Sequence, residues 1–387
     1  MSRDPQPRSP IFILMHILAL EPYYGGSHRA FLDGWSSASR HTWTKLTLPA
    51  HHWKWRMRHA PLTFAQQLET QTDARFDLIF CSDMLNLATF RGLASGHVAR
   101  LPAVVYFHEN QLTYPDAFQT ERDFHYAYDN FQTMLAADAI WFNSAYHRDE
   151  FFSQCRAFLR KLPDYSQEAQ LDQVESRVRV AVPGLPEIVS PTRPVRFQQP
   201  HIVWAARWEH DKNPDDFFAA LRQLKRAGES FRLSVVGESF RDVPPIFSQA
   251  RQEFATEIHQ WGYLPSHADY VALLQSADLF VSTAVHEFFG ISAAEAILAG
   301  CLPVLPQRLA YPELVDGRSH LLYDGSVDSL AQHLRRLLHE KEFRSTAIKQ
   351  HTVSQTKLAQ LRWQLLALKY DDLLSATSQP ASEIPRA

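Results

Sequence analysis

Two glutamates in the segment HEFFGISAAEAILAGCLPV, residues 286–304, are separated by seven residues. The pattern predicts a strand, a loop that carries Glu287, a small-residue helix that begins near Gly290, and a second apolar strand. Free backbone N–H groups and the helix dipole at Gly290 would bind a phosphate. Glu295, about two turns into the helix, would then point toward ribose hydroxyls. The alternative is a buried helix with incidental glutamates, each of which would need a partner.

Two cations occur in the segment IVWAARWEHDKNPDDFFAAL, residues 202–221. Arg207 follows a predicted strand, and Lys212 comes five residues later, before a helix that begins near Asn213 and Pro214. Cations that converge on one loop can neutralise a diphosphate leaving group. Taken alone, such a pair is usually solvated surface, so this interpretation depends on the neighbouring glutamate segment.

The first half of the chain contributes two polar loops. The pair Gly25 and Gly26 follows the first apolar run and would let that loop approach donor phosphates and a sugar closely, while Ser27 and His28 would begin the next helix. A second polar run follows the strand AVV, at the carboxyl end where open α/β sheets place their sites. It consists of His108, Glu109, Asn110 and Gln111. A plain turn does not need four polar residues.

The segment WKWRMRHAPLTFA, residues 53–65, combines aromatic and basic side chains. They are Trp53, Lys54, Trp55, Arg56 and Arg58. Such residues can stack on bases and pair with phosphates, which predicts an RNA-binding surface. The alternative is the start of an amphipathic helix whose tryptophans lie in the core.

The 387-residue chain has 45% hydrophobic residues and a formal net charge of −3, which indicates a globular protein without general affinity for polyanions. Eleven Lys and Arg against seven Asp and Glu give residues 1–100 a charge of +4, and the remainder carries −7. This asymmetry permits a polyanionic partner on the N-terminal side. The three cysteines are widely spaced, so neither a disulfide framework nor a zinc site is predicted, and a reducing cytoplasm fits.

Apolar strand-like runs alternate with helix-like stretches along the chain and predict two doubly wound α/β domains, each of about five or six strands. Residues 11–20 favour a buried strand over a signal peptide because His16 interrupts the run, and no later segment reaches the roughly 18 apolar residues of a membrane span. The stretch 183–201, with five prolines, suits a linker. The predicted divisions are a tail at 1–10, an acceptor domain at 11–190, a donor domain at 191–350 and a C-terminal helix and tail at 351–387.

The two-glutamate segment resembles the E-x7-E signature of retaining glycosyltransferases, in particular glycosyltransferase family 4, although Phe288 stands where that family often has glycine. The Arg207 and Lys212 spacing matches the diphosphate clamp of the same family. The resemblance implies a GT-B fold of two Rossmann-like domains that face each other across a cleft, a nucleoside diphosphate sugar as donor, retention of the anomeric configuration and no required metal. It assigns donor binding to Gly25, Gly26, Ser27, Gly237, Phe288, Phe289, Gly290, Ile291 and Glu295.

Four further segments resemble one branch of this family: YYGGSH, SDMLNLATFRGL, FHENQLTYP and WKWRMRHAPLTFA. Animal members of that branch mannosylate queuosine in transfer RNA with GDP-mannose. The resemblance therefore implies transfer of mannose to the cyclopentenediol of queuosine in the anticodon of tRNA(Asp), by a cytoplasmic enzyme without a membrane partner. It also implies that His28, the run from Glu109 to Gln111 and the segment at 53–58 bind the acceptor.

The resemblance implies specific roles for four residues. Glu287 would contact mannose hydroxyls, Arg207 and Lys212 would stabilise the departing diphosphate, and His108 would lie beside sugar and acceptor. Three alternatives remain: a family 4 enzyme that acts on a lipid or polysaccharide, a Rossmann dehydrogenase, and a non-catalytic RNA-binding protein. The dehydrogenase is disfavoured because the first loop lacks G-x-G-x-x-G.

Overall fold

A computed structural model describes residues 14–70, 74–113, 123–191, 195–239 and 243–378. The tail predicted at residues 1–10 lies outside the described part of the chain, as do the first three residues of the strand predicted from residue 11. That strand begins at His16 and continues to Tyr24, so the two tyrosines that precede the glycine pair belong to the strand and not to the loop.

The first half of the chain forms a parallel sheet of six strands in the order β2-β1-β3-β4-β5-β6. The strands are β1 (His16–Tyr24), β2 (Thr42–Pro49), β3 (Leu78–Ser82), β4 (Ala103–Phe107), β5 (Ala139–Phe142) and β6 (Val178–Val180). The helices are α1 (Gly26–Ala38), α2 (Trp53–Glu69), α3 (Leu87–Leu93), α4 (Phe124–Ala136), α5 (Ala145–Leu159) and α6 (Glu168–Val174). Two apolar clusters cover the sheet, one on each face, as the continuous apolar strands require.

The second half repeats the plan with a sheet in the order β12-β11-β10-β7-β8-β9. Its strands are β7 (His201–Ala205), β8 (Arg232–Val236), β9 (Ile258–Gly262), β10 (Leu279–Val281), β11 (Leu302–Pro306) and β12 (Leu322–Tyr323). The helices are α7 (Pro214–Arg226), α8 (Ile246–Glu253), α9 (His267–Ser276), α10 (Ile291–Ala299), α11 (Tyr311–Leu314), α12 (Val327–His339), α13 (Lys341–Leu358) and α14 (Trp363–Ser378). Two parallel sheets flanked by helices confirm the predicted pair of doubly wound domains.

The division predicted between residues 350 and 351 falls inside α13, which packs on the second domain. Only α14 returns to the first domain. There Trp363 fills a notch between Gly34 and Gly184, where an added Cβ would come within 2.1 and 2.2 Å of the indole. The buried Asp371 carboxylate of α14 accepts three hydrogen bonds: from Trp35 Nε1, Ser39 Oγ and the backbone N–H of Arg40. This helix therefore ties the end of the chain to α1.

Candidate active site

Loops at the carboxyl ends of the two sheets face each other, which is where open α/β sheets place their sites. Ser144, after β5, donates a hydrogen bond from Oγ to the carbonyl of Phe288, after β10, at 2.6 Å. Tyr23, at the end of β1, lies among charges from both domains. Burial raises its pKa, the carboxylate of Glu109 raises that pKa further, and Arg207 of the second domain opposes the increase. The cleft between the domains is thus lined from both sides.

Arg207, Lys212 and Glu287 lie together on the wall formed by the second domain. Lys212 is buried, and its ammonium lies 2.8 Å from the carbonyl of His286, 3.1 Å from the Asp211 carboxylate and 3.6 Å from that of Glu287. Arg207 pairs with Glu209 at 3.2 Å. The two cations and their carboxylate partners therefore lie on one wall of the cleft, and their role as a clamp for a diphosphate stays a prediction.

The start of α10 is formed by Gly290, whose φ of 91° lies in the left-handed region. Its N–H donates to the Glu287 carboxylate at 3.2 Å, so this glutamate caps the helix in the absence of a ligand. Gly237, after β8, is also required by close packing, because a Cβ there would lie 1.7 Å from the carbonyl oxygen of Ala206. Gly290 and Gly237, two of the four glycines predicted for donor binding, therefore shape the backbone of this wall.

Glu295 lies on α10, as predicted, but it is buried and has a protein partner that the sequence did not reveal. His267, at the start of α9, lies 3.1 Å from its carboxylate, and this hydrogen bond raises the pKa of the imidazole. The prediction that Glu295 contacts ribose requires that a nucleotide share the carboxylate with His267 or displace that ring. The two residues are brought together by adjacent helices of the second domain, which no local pattern indicates.

Phe288 and Phe289 have structural neighbours that account for their burial. Phe289 belongs to the core of the second domain, and the partly buried Ile291 packs against that core. The Phe288 ring stacks on His147 of the first domain, with centroids 3.9 Å apart and planes at 23°. The expectation that the Phe288 side chain binds the donor is corrected accordingly, because this ring is covered by the opposite domain.

A second contact between the domains lies next to the first. The Glu313 carboxylate accepts hydrogen bonds from the backbone N–H groups of Ala145, at 2.9 Å, and Tyr146. It thereby caps the N-terminus of α5 from the other domain, where the helix dipole favours a negative charge. Ser144, His147 and Glu313 were not singled out in the sequence, although Ser144 is a recognisable helix N-cap residue.

The glycine pair lies between β1 and α1. Gly25 packs so closely on Ala50 that a Cβ would meet the alanine methyl at 2.4 Å. Gly26 has a φ of 49°, and among the described residues beyond its own helix turn no atom lies within 4 Å of the position of an added Cβ. Ser27 is exposed in the first turn of the helix. The loop therefore leaves the N-terminus of α1 open, as the predicted approach of a donor requires.

His28, which was expected to bind the acceptor, lies in the interior of the first domain. The side chain is buried, its Nδ1 lies 3.2 Å from the Glu21 carboxylate, and its ring stacks on His108 with centroids 4.0 Å apart. Burial alone would lower the pKa of His28, but the charge and hydrogen bond of Glu21 outweigh it and raise that pKa to about 9. Direct acceptor binding by His28 is thus corrected to a role beneath His108.

The polar run after β4 divides between the cleft and the protein interior. His108 and Glu109 are partly exposed, whereas Asn110 and Gln111 are buried. The Asn110 carboxamide oxygen accepts hydrogen bonds from the backbone N–H groups of Leu112 and Thr113, both at 3.0 Å. It therefore shapes the loop and is no longer assigned to acceptor binding. The buried Gln111 donates a hydrogen bond from Nε2 to the carboxylate of Glu109 at 3.4 Å. Residues Tyr114 and Pro115 of the predicted segment lie outside the described residues.

Helix α2 exposes part of the predicted RNA-binding segment. The Trp55 side chain is 61% exposed, and the Lys54 ammonium lies over the Trp53 ring at 5.5 Å. Arg56 is buried and donates to the Pro49 carbonyl at 2.9 Å, so its side chain already has a protein partner. The exposed Arg58 pairs with Asp129 at 3.0 Å and is also partly neutralised. Trp55 and Lys54 are the stronger candidates for contact with an acceptor.

Glu21, His28 and His108 place one possible ligand atom each within 4.8 Å of one another, which is close enough to consider a metal ion. The geometry does not fit one, because the two imidazoles are stacked with planes at 29°. Imidazoles that bind one metal ion must direct their lone pairs, which lie in the ring planes, at the same point.

Within the described residues, no helix is long and apolar enough to cross a membrane.

Residues 16–185 match a family model described as "tRNA-queuosine alpha-mannosyltransferase N-terminal", and residues 193–352 match one described as "Glycosyl transferases group 1". A tRNA-queuosine alpha-mannosyltransferase of Drosophila melanogaster is 34% identical over 310 residues, which cover 77% of this chain and 81% of that protein. A GDP-mannose-dependent alpha-(1-6)-phosphatidylinositol dimannoside mannosyltransferase of Mycobacterium tuberculosis is 26% identical over 141 residues, or 36% of each chain.

A solved structure with a similar fold is sucrose-phosphate synthase from Thermosynechococcus elongatus. It superposes with a TM-score of 0.69 over 93% of this chain and 98% of that chain, at 16% identity. Likeness at this identity shows the fold alone, and it confirms the predicted GT-B arrangement.

Proposed function

Since the chain belongs to the tRNA-queuosine alpha-mannosyltransferase family of glycosyltransferases, we propose that it transfers mannose from GDP-mannose to a hydroxyl of the cyclopentenediol of queuosine in tRNA. The observation that carries this proposal is the buried Lys212, held between the carboxylates of Asp211 and Glu287 in the cleft. A diphosphate that enters the cleft meets this ammonium together with Arg207. Cleavage of the bond between the anomeric carbon and the phosphate oxygen then leaves negative charge on the departing diphosphate, beside cations that are already positioned to stabilise it.

Glu287 is placed to change partners when the donor binds. In the described state its carboxylate accepts from the N–H of Gly290 and faces Lys212. Mannose hydroxyls can donate to this carboxylate, which frees the start of α10 for the diphosphate. One side chain would thus connect sugar recognition with phosphate binding.

The reaction we propose retains the anomeric configuration. The acceptor hydroxyl attacks the face from which GDP departs, and the leaving phosphate accepts its proton. The bond between the anomeric carbon and the phosphate oxygen breaks as the new glycosidic bond forms. His108, beside the cleft, would hydrogen-bond the sugar or steer the attacking hydroxyl.

The acceptor surface is formed by the exposed part of α2 and the loop before it. His51, His52 and Trp55 are exposed there, and Lys54 adds a positive charge. An exposed tryptophan beside a cation suits an unpaired nucleobase and its phosphate. The net charge of +4 in residues 1–100, which include α2, supports tRNA binding on this side of the molecule.

Three finer points belong to this proposal. GDP-mannose as the donor is supported by the similarity to the mycobacterial relative, which is a GDP-mannose-dependent mannosyltransferase. Metal independence is supported by Arg207 and Lys212, which supply the positive charge that Mg²⁺ would supply elsewhere. Action in the cytoplasm is supported by the proposed tRNA substrate.

In the test, purified protein and queuosine-containing tRNA are incubated with one nucleotide sugar per reaction. The nucleotide sugars are GDP-mannose, GDP-glucose, UDP-glucose and UDP-galactose, and each reaction is run with and without EDTA. Digested nucleosides are then weighed by mass spectrometry. We expect queuosine to gain one hexose only with GDP-mannose, and EDTA to leave the yield unchanged. The same tRNA with guanosine in place of queuosine is the matched control and should gain nothing.

Two results would redirect the proposal. Hexose transfer to a vesicle lipid and not to tRNA would favour the membrane-acting alternative. Tight tRNA binding without release of a nucleoside diphosphate from any donor would favour the non-catalytic RNA-binding alternative.

A further inference from the structure

A buried polar cluster lies beneath the cleft and was only partly anticipated. Its centre is Glu21 in β1, whose carboxylate accepts from the backbone N–H of Tyr23 at 2.8 Å and the hydroxyl of Ser82 at 3.0 Å. The remaining carboxylate oxygen lies 3.2 Å from Nδ1 of His28. Because Glu21 is held on three sides, it fixes the His28 ring in position.

The His28 ring in turn supports His108. The two rings stack at 4.0 Å, while Phe31 and Tyr106 contact the His108 ring edge-on at 5.2 and 4.6 Å. The backbone N–H of His108 donates to the Asp83 carboxylate at 2.8 Å. Among the residues that the structure describes, no protein group hydrogen-bonds to either ring nitrogen of His108. Ring packing therefore holds this imidazole and leaves both nitrogens for a ligand.

We propose that His28 is a positioning residue: Glu21 holds it as an imidazolium, and it fixes the His108 ring and keeps that ring neutral for contact with the reacting sugar and hydroxyl. This inference rests on the proposed function, in which His108 touches the substrates. A neutral imidazole offers one hydrogen-bond donor and one acceptor, whereas an imidazolium offers two donors and no acceptor. Only the neutral ring can accept a hydrogen bond from a hydroxyl group with one nitrogen while its other nitrogen donates to a second oxygen.

The charges around the pair agree with this assignment. Burial, then the positive charge of His28, then His147, lower the pKa of His108 well below its ordinary value. Burial raises the pKa of Asp83 well above its ordinary value, although His28 opposes this change. The titratable groups that face His28 are Glu21 and Tyr23 from β1, Asp83 after β3, and His108 and Glu109 after β4. The Glu21 carboxylate holds His28 as a cation, and that cation lies against His108.

The test follows the imidazole signals of selectively ¹⁵N-labelled protein by NMR between pH 5 and pH 10, with a His108→Gln variant to assign the relevant signals. We expect His108 to stay neutral throughout and His28 to lose its proton near pH 9. Glu21→Gln keeps a hydrogen-bonding side chain without the charge, and His28→Phe keeps a stacking ring without the charge. Both variants should raise the pKa of His108, so that its signals begin to move toward the protonated form at the acid end of this range. His333→Phe, at a buried histidine of α12, is the matched control and should leave the His108 signals as in the wild type.

Kinetics supply a second readout that a purely structural role would not change. Wild-type kcat should be flat from pH 8 down to pH 6, whereas Glu21→Gln should lose activity toward the acid side of this range, with little change in donor KM. Melting curves establish that each variant is folded, and Glu21→Gln decides the question if His28→Phe is unfolded.

The possible failures are distinguishable. His108 signals that titrate identically in the wild type and both folded variants would overturn the inference, even in an active enzyme. A protein that shows the shift of His108 but transfers no sugar would overturn the proposed function, because the NMR titration needs no substrate.

Discussion

Replacement of Lys212 by methionine removes one charge from the cleft and keeps most of the buried aliphatic volume. The ammonium faces two carboxylates, at 3.1 Å for Asp211 and 3.6 Å for Glu287. At an effective dielectric constant of about 20, each pair has a gross attraction of about 5 kcal/mol. Desolvation offsets most of it, and loss of one partner from such a buried group costs about 3–5 kcal/mol of folding free energy.

The catalytic effect is separate from this loss of stability. A charged donor aimed at a developing oxyanion contributes about 3–4 kcal/mol to the transition state, so kcat should fall roughly 100- to 1000-fold in Lys212→Met. The double variant Asp211→Asn/Lys212→Met removes a carboxylate that would otherwise remain buried without its cation. It should recover most of the lost stability in urea unfolding but none of the lost turnover.

Turnover is measured as GDP release at saturating tRNA and donor, at a temperature where all variants are folded. Lys225→Met, at an exposed lysine of α7 that pairs with Glu257, is the matched control and should behave like the wild type. Recovery of full activity in the double variant would contradict the catalytic role of Lys212, because it would show that this residue acts only by stabilising the fold.

Four further changes have expected outcomes. In His28→Gln, stability should no longer depend on pH between 6.5 and about 9. In the wild type the ion pair with Glu21 stabilises the fold fully below pH 6.5 and is lost as pH rises to about 9, which amounts to about 3 kcal/mol by urea unfolding. Glu313→Ala removes the cap that the second domain places on α5, and should weaken domain closure by about 1 kcal/mol, seen as a roughly fivefold rise in the donor Kd by calorimetry. Gly184→Ala places a methyl group 2.2 Å from the indole of α14 and should cost about 1–3 kcal/mol in chemical unfolding. Trp55→Ala should weaken tRNA binding roughly tenfold in a filter assay, by loss of one stacking contact, with donor KM unchanged.

The sequence predicted the two sheets and the loops that carry the chemistry because these signals are local. An apolar run followed by Arg207 or Glu287 marks a strand end, and Gly290 marks the helix that follows. In parallel α/β domains all such ends lie at one edge, so the residues had to come near each other. The assignment of individual contacts to donor and acceptor stays a prediction.

Side-chain direction and contacts between domains were not predictable in this way. Arg56 and Lys54 lie two residues apart on α2, and only the docking of the helix decides that Arg56 turns inward. Asn110 looked available for a ligand because a polar side chain in a loop shows no sign that it will cap the backbone after it. Phe288 is separated from Ser144 by 144 residues, so its burial depends on how the domains meet.

The proposed transfer of mannose to queuosine is tested most directly by the mass of that nucleoside. Queuosine-tRNA is incubated with GDP-mannose and wild-type protein, and in parallel with the Lys212→Met variant. The proposed mechanism predicts that queuosine becomes one hexose heavier with the wild type and stays almost entirely unmodified with the variant over the same time. Queuosine of unchanged mass after prolonged incubation with folded wild-type protein would contradict it.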